Sequence, residues 1–193
     1  MEDEIWLDLL NSDWHDYRGT GKHEDRLDNP QWIKEFLKRW VLDLNGISGE
    51  KVRASLHALR DVISRIAEQA AAGKKMDLRS LKELNPFFVR APLIRRLDLE
   101  TDRLQVKLVP VAGKLESALG EIAGSFAEAL ARGAPSRIKI CKNKDCHWVF
   151  YDKSKNKSRK WCEGATCGNL MKVRRFREKH RKKGPKAAPH APR

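Results

Sequence analysis

Cys141, Cys146, Cys162 and Cys167 are all the cysteines of the chain, set as two pairs with four residues inside each pair and fifteen between them. Thiolates are soft, anionic ligands, and four of them close a tetrahedral shell around zinc with no position left for a reacting water. The pattern therefore predicts a structural Zn2+ site rather than a catalytic one. A pair of disulfides would need an oxidising compartment. The acidic start Glu2, Asp3, Glu4 leads into no signal-type apolar region, and no apolar run approaches the length of a membrane span. The expected setting is the cytoplasm, with no membrane partner. His147, beside Cys146, is a spare donor once four sulfurs are available.

The charge sits where the cysteines sit. The formal net charge is +14, yet residues 134–193 hold 19 Lys and Arg against four Asp and Glu, so residues 1–133 are close to neutral. A basic block on a metal-built scaffold points to a polyanion, and nucleic acid is the expected partner. A module of some 45 residues could not bury enough apolar surface alone; the metal replaces the missing core.

These residues need elements to position them. The stripe Ile5, Trp6, Leu9, Leu10 predicts a short helix, and the polar segment from Asn11 to Asp28, with Gly19 and Gly21, predicts a loop. Asn29 and Pro30 are an N-cap and first-turn pair, and Trp32, Ile33, Phe36, Leu37, Trp40, Val41 and Leu44 continue as one amphipathic helix to Asn45. A second runs from Ser48 to about Ala72, where Gly73 stops it, and a third from Asp77 to Leu84, ended by Pro86. Alternation through Leu97, Leu99, Leu104, Val106 and Leu108, with a turn at Glu100 to Asp102, predicts a β-hairpin. Helical spacing returns from Ala112 to Arg132, weakened by Gly113, Gly120 and Gly124 unless close packing explains them.

Gly133 to Ser136 reads as a link between two parts. Beyond it come a strand into the first cysteine pair, the aromatic strand Trp148 to Tyr151, a polar turn, a returning strand Arg159 to Trp161, and a helix starting near Cys162 or Cys167 and reaching about Lys183. Gly184 to Arg193, with three prolines and three alanines, is expected to be disordered. The fold class is thus α+β and mostly helical: residues 1–133 a helical domain with a β-hairpin, residues 137–183 a small zinc finger built from a knuckle, a hairpin and a basic helix in treble-clef-like order.

The segment CKNKDCHWVFYDKSKNKSRKWCEGATCGNLMKVRRFREKH resembles the C-terminal zinc finger of the CGNR family. It carries both cysteine pairs, the approach Ser158, Arg159, Lys160, Trp161 to Cys162, and Cys167, Gly168, Asn169 before a basic helix. The opening Trp6 to Ser12 is similar to the start of the ABATE-type N-terminal domain that accompanies this finger. The resemblance implies a stress-related bacterial transcription regulator whose N-terminal domain senses a ligand or holds a partner. One position departs: Leu170 stands where the family signature has Arg.

On the basic helix, Leu170, Val173, Phe176 and His180 share a face expected to pack on the aromatic strand and Trp161. Lys172, Arg174, Arg175, Arg177, Lys179 and Arg181, with Arg159 and Lys160 from the approach, are the candidate nucleic-acid contacts. Such a helix fits a duplex major groove, where Arg can read guanine, or it coats phosphates without reading bases. Duplex DNA is the first reading and structured or ribosomal RNA the alternative. In the N-terminal part, Asn11, Ser12 and Trp14 are candidate ligand contacts beside Asp13 and His15, against the plainer reading of a helix end and turn. His23, Glu24 and Asp25 read as a solvated turn. The long helices offer a homodimer face, which two fingers on paired half-sites would require. Without an open metal position, a phosphate loop, a nucleophile elbow or a carboxylate pair, no enzyme is expected.

Overall fold

A computed structural model of the protein describes residues 4–133 and 135–182; the tail expected to be disordered lies outside them. The chain builds α1 (Ile5–Leu10), a small hairpin β1 (Asp13–His15) and β2 (His23–Asp25), a 3-10 turn (Arg26–Asp28), α2 (Pro30–Arg39), α3 (Gly49–Ala71), α4 (Leu78–Val89), the ribbon β3 (Leu93–Glu100) and β4 (Arg103–Pro110), and α5 (Lys114–Gly133). It ends in β5 (Ile138–Ile140), β6 (Val149–Tyr151), a π-helical turn (Gly164–Gly168) and α6 (Asn169–Lys182). All three sheets are antiparallel and two-stranded. The architecture is α+β and mainly helical, as the periodicities predict.

α1 is the keystone. It has no polar face to speak of, because it is packed by α3 and α5 at once: Ile5, Trp6, Leu7, Leu9 and Leu10 are all buried. The Trp6 ring meets Phe126 of α5 at 5.1 Å between centroids. α3 contributes Leu56, Leu59, Ile63 and Ile66 at helical spacing to the same core, and α4 closes it with Leu84. Gly120 is where α5 meets the end of α4: a Cβ there would lie 2.3 Å from that of Ala91. Close approach accounts for that glycine, whereas Gly124 faces open space.

Four boundaries differ from expectation. The segment after α1 is a hairpin, with Gly19 and Gly21 at positive φ in its connection, so the polar residues that read as a loop carry a strand pair. α2 stops at Arg39, since Val41 adopts φ 56° and its amide returns to the carbonyl of Lys38. Pro86 lies inside α4 without ending it, and the amide of Arg90 bonds the Pro86 carbonyl. Residues 159–161 form no strand; β5 pairs with β6 across the first cysteine pair instead, Ile138 opposite Tyr151 and Ile140 opposite Val149.

The two expected parts share one core. Ile138 is fully buried among the N-terminal helices, with Val149 and Tyr151 packed against the same cluster, and β5 lies along α3.

Candidate metal centre and nucleic-acid interface

The first cysteine pair sits in the turn between β5 and β6. Cys141 donates its amide to the Trp148 carbonyl at 2.9 Å and Cys146 to the Asn143 carbonyl at 3.0 Å, and His147 turns the chain with φ 56°. Cys162 and Cys167 flank and enter the π-helical turn, where the Gly168 amide bonds the Glu163 carbonyl at 3.0 Å. A Cβ on Gly168 would come within 3.3 Å of the Trp161 ring, so glycine lets that indole lie on the turn.

These two turns bring the four sulfurs within 4.8 Å of one another. Cys146 Sγ and Cys162 Sγ are 3.6 Å apart, far beyond a disulfide bond of about 2.05 Å. Zinc–sulfur bonds of ~2.3 Å in a tetrahedron place sulfurs roughly 3.8 Å apart, so the cluster is a cage of metal-binding size. Cys141, Cys146 and Cys167 are buried, Tyr17, Trp148 and Trp161 cover them, and the amide of Asn143 points at Cys167 Sγ from 3.5 Å. His147 stands outside the set of four.

The electrostatics agree. Thiol hydrogens of Cys146 and Cys162 turned to Cys141 pull its pKa down to about 2, and the same contacts, with burial, push Cys146 and Cys162 up. Without an ion, Cys141 takes the thiolate form before Cys146 and Cys162 do. A divalent cation favours the thiolate at each, as the donor set requires.

Beside the cage, Asp152 is fully buried at the end of β6. Its carboxylate accepts from Lys139 Nζ at 2.6 Å and from the amides of Ser154 and Arg159, each at 3.0 Å. Burial would raise its pKa; these donors outweigh burial and hold it well below the usual range. The loop 153–160, whose residues the aromatic strand and the second cysteine pair bracket, is thereby anchored.

α6 leaves this scaffold with little against it. Lys172, Arg175, Arg177, Lys179 and Arg181 are exposed. So are Val173 (45%) and Phe176 (62%), which corrects the expected packing of that face on the aromatic strand; the Phe176 ring instead meets His180 in a tilted pair, 4.2 Å between centroids. Leu170 is only partly buried.

Arg174 and Arg159 are tied into the scaffold by their side chains, Lys160 only by its main chain. Arg174 pairs with Asp145 at 2.7 Å and donates to the carbonyl of Arg18 at 2.8 Å, bracing α6 against the β1–β2 hairpin. Arg159 lies over the Phe150 ring and bonds the Trp161 carbonyl; the Lys160 carbonyl accepts from the amide of Lys142 while its side chain is exposed, and exposed Arg175 reaches over Trp161.

Asn11, Ser12 and Trp14 are each engaged by other parts of the fold. The Asn11 side chain makes two bonds to the backbone of Val149 at 2.9 and 2.8 Å, imitating a strand partner and fastening α1 to β6. Ser12 accepts from buried Arg60, which also clamps Asp25; the Trp14 ring lies under Arg26. Asn143 mirrors Asn11 from the finger side, donating to the Tyr17 carbonyl at 2.7 Å. The sequence offered only a weak signal for either: short amides, where one side chain replaces a backbone partner.

A helical body with a four-cysteine cage and an outstanding cationic helix defines a protein with a small metal-finger module. The comparisons place it further: residues 3–133 match the ABATE family, described as "Putative stress-induced transcription regulator", and residues 137–180 match the CGNR zinc finger. The chain belongs to the ABATE family and carries a CGNR zinc finger. No curated protein matches it. No helix among the described residues is long and apolar enough to cross a membrane.

Proposed function

We propose that this protein is a cytoplasmic transcription regulator that binds duplex DNA through α6, with Zn2+ at the four cysteines. The observation that carries the reading is the exposed cationic surface of α6 beside the cage. Lys172, Arg175, Arg177, Lys179 and Arg181 follow one another over three turns with bare Val173 and Phe176 among them. Arg supplies paired donors for guanine, the apolar side chains suit thymine methyl groups, and Lys holds phosphates. Arg174 and Arg159 position the scaffold in this reading. The N-terminal domain is the sensing or partner-holding part, and the regulator acts as a homodimer through the β3–β4 ribbon, so that two fingers address paired half-sites.

Selection from a random duplex pool at near-physiological salt tests it. Enrichment of one motif, with binding lost in Arg175→Ala/Arg177→Ala while zinc content is unchanged, is the expected result. Uniform binding that declines with salt alone makes α6 a phosphate coat, and preference for structured RNA over every duplex overturns the DNA assignment in favour of an RNA-binding role.

A further inference from the structure

We infer that the β1–β2 hairpin carries a second metal site, distinct from the cysteine cage, for a first-row divalent cation such as Zn2+ or Ni2+. Residues two apart on a strand share a face, so Asp13 and His15 stand together; His23 is the register partner of His15 and joins them from β2. One possible ligand atom from each lies within 4.8 Å of the others, His23 Nε2 being 2.6 Å and His15 Nε2 3.4 Å from Asp13 Oδ1. Donors at about 2.0–2.2 Å from an ion of this class lie roughly 3 Å or a little more from one another, so small side-chain rotations that open the His23–Asp13 spacing would seat it.

The donors select the ion. Two imidazoles and one carboxylate suit Zn2+, Ni2+, Co2+ or Cu2+, whereas Mg2+ and Ca2+ take oxygen. Asp13 and His23 are exposed and His15 half-buried, so positions remain for water and the site fills from solution. This is the opposite of the covered cysteine cage.

Its place in the fold gives it a task. The His15 ring lies 4.4 Å from His23 on one side and 4.4 Å from His147 of the cysteine knuckle on the other. The connection between the two strands supplies the carbonyls of Tyr17 and Arg18 that Asn143 and Arg174 grip. A Cβ on Gly19 would lie 2.8 Å from Asp145 Oδ2, so that connection is pressed onto the finger. An ion pinning His15 to His23, where the connecting loop leaves β1 and enters β2, rigidifies the loop that braces α6, and the occupied site is a metal-responsive control on the helix.

The test uses the full, untagged chain already holding one equivalent of zinc, titrated calorimetrically with Zn2+ in a non-chelating buffer while the imidazole NMR signals are followed. A second equivalent should bind more weakly than the first and shift the signals of His15 and His23. In His15→Ala/His23→Ala, checked for fold by circular dichroism, the second affinity should fall at least about tenfold with the first equivalent retained. Absence of a second equivalent up to millimolar zinc overturns the site, leaving an Asp–His hydrogen-bonded pair. An undiminished second equivalent in the double variant overturns it too, by placing the ion elsewhere. Neither result depends on what α6 binds.

Discussion

At the scale of single residues, the finger rests on side chains that replace backbone partners. Asn11 and Asn143 each give an amide to the other part's main chain, and Asp152 collects a lysine and two amides in the absence of solvent. Asp152 is the most exacting of these, because a buried carboxylate is tolerated only where its donors outweigh desolvation. Asp152→Asn keeps the shape and removes the charge, leaving the Lys139 ammonium, only 21% exposed, short of its counter-ion. Breaking such a pair costs on the order of 3 kcal/mol. The pH dependence follows from the sign of the shift. A carboxyl whose folded pKa is depressed contributes stability that is complete above its unfolded value near ~3.9 and is lost as pH falls toward the folded one. The difference between wild type and variant, measured by urea unfolding, should therefore be full at pH near 7 and shrink steadily once pH drops below about 5. A difference independent of pH would assign the loss to packing instead of charge.

At the scale of elements, the β3–β4 ribbon is the one whose surroundings its own residues do not satisfy. Leu93, Leu97, Leu99, Leu104, Val106 and Leu108 share one face, with Arg95 among them, and each of the six apolar residues is more than half exposed. On the other face Arg96 pairs with Asp98 and Lys107 with Glu100. A two-stranded ribbon is marginal in water by itself, and a bare apolar face this long marks an interface. A face this apolar, with Arg95 its single charge, is complementary to a copy of itself. Sedimentation should show a dimer at micromolar concentration, and Leu97→Asp/Leu104→Asp a folded monomer; a monomeric wild type would remove the paired-finger reading. The sequence made this ribbon legible through its alternation, as it did α3 through its 3.6-residue period. Alternation does not say what the apolar face meets, which is a property of tertiary contact. The same limit explains α6: Val173 and Phe176 have the spacing of a packed face, yet the short finger offers them no surface to pack on. The β1–β2 hairpin was hidden for another reason. Its strands are three residues long, too short for a period to show among polar residues, and its glycines read first as loop formers. The four cysteines needed no period at all, since spacing and donor chemistry specify a cage without reference to the rest of the fold.

At the scale of the whole molecule, the two family-matched parts meet in one shared core. The expectation of a linker at Gly133 to Ser136 implies a finger that melts alone. Against it stand Ile138, fully buried in the helical core, the Asn11 clamp on Val149, and the Arg174 brace on Arg18. β5 and β6 enclose the first cysteine pair and also close the N-terminal core, so the metal centre and the helices share a hairpin. Removing the ion frees sulfurs that cannot all ionise side by side, and the loss propagates through that hairpin into the α1, α3 and α5 packing. For a chain of this length 1 kcal/mol corresponds to about 2–4 °C in Tm. A structural zinc worth several kcal/mol should, when taken by a chelator under reducing conditions, lower one common transition by roughly 10 °C or more, with tryptophan fluorescence, from Trp6 in the core and Trp148 and Trp161 at the finger among others, and the far-ultraviolet signal moving together. Cys162→Ser should do the same. If the variant instead lost only the signal of α6 while the helical core melted at its original temperature, the finger would be an appended module, and the shared hairpin would carry no coupling between the metal and the domain that α1 organises.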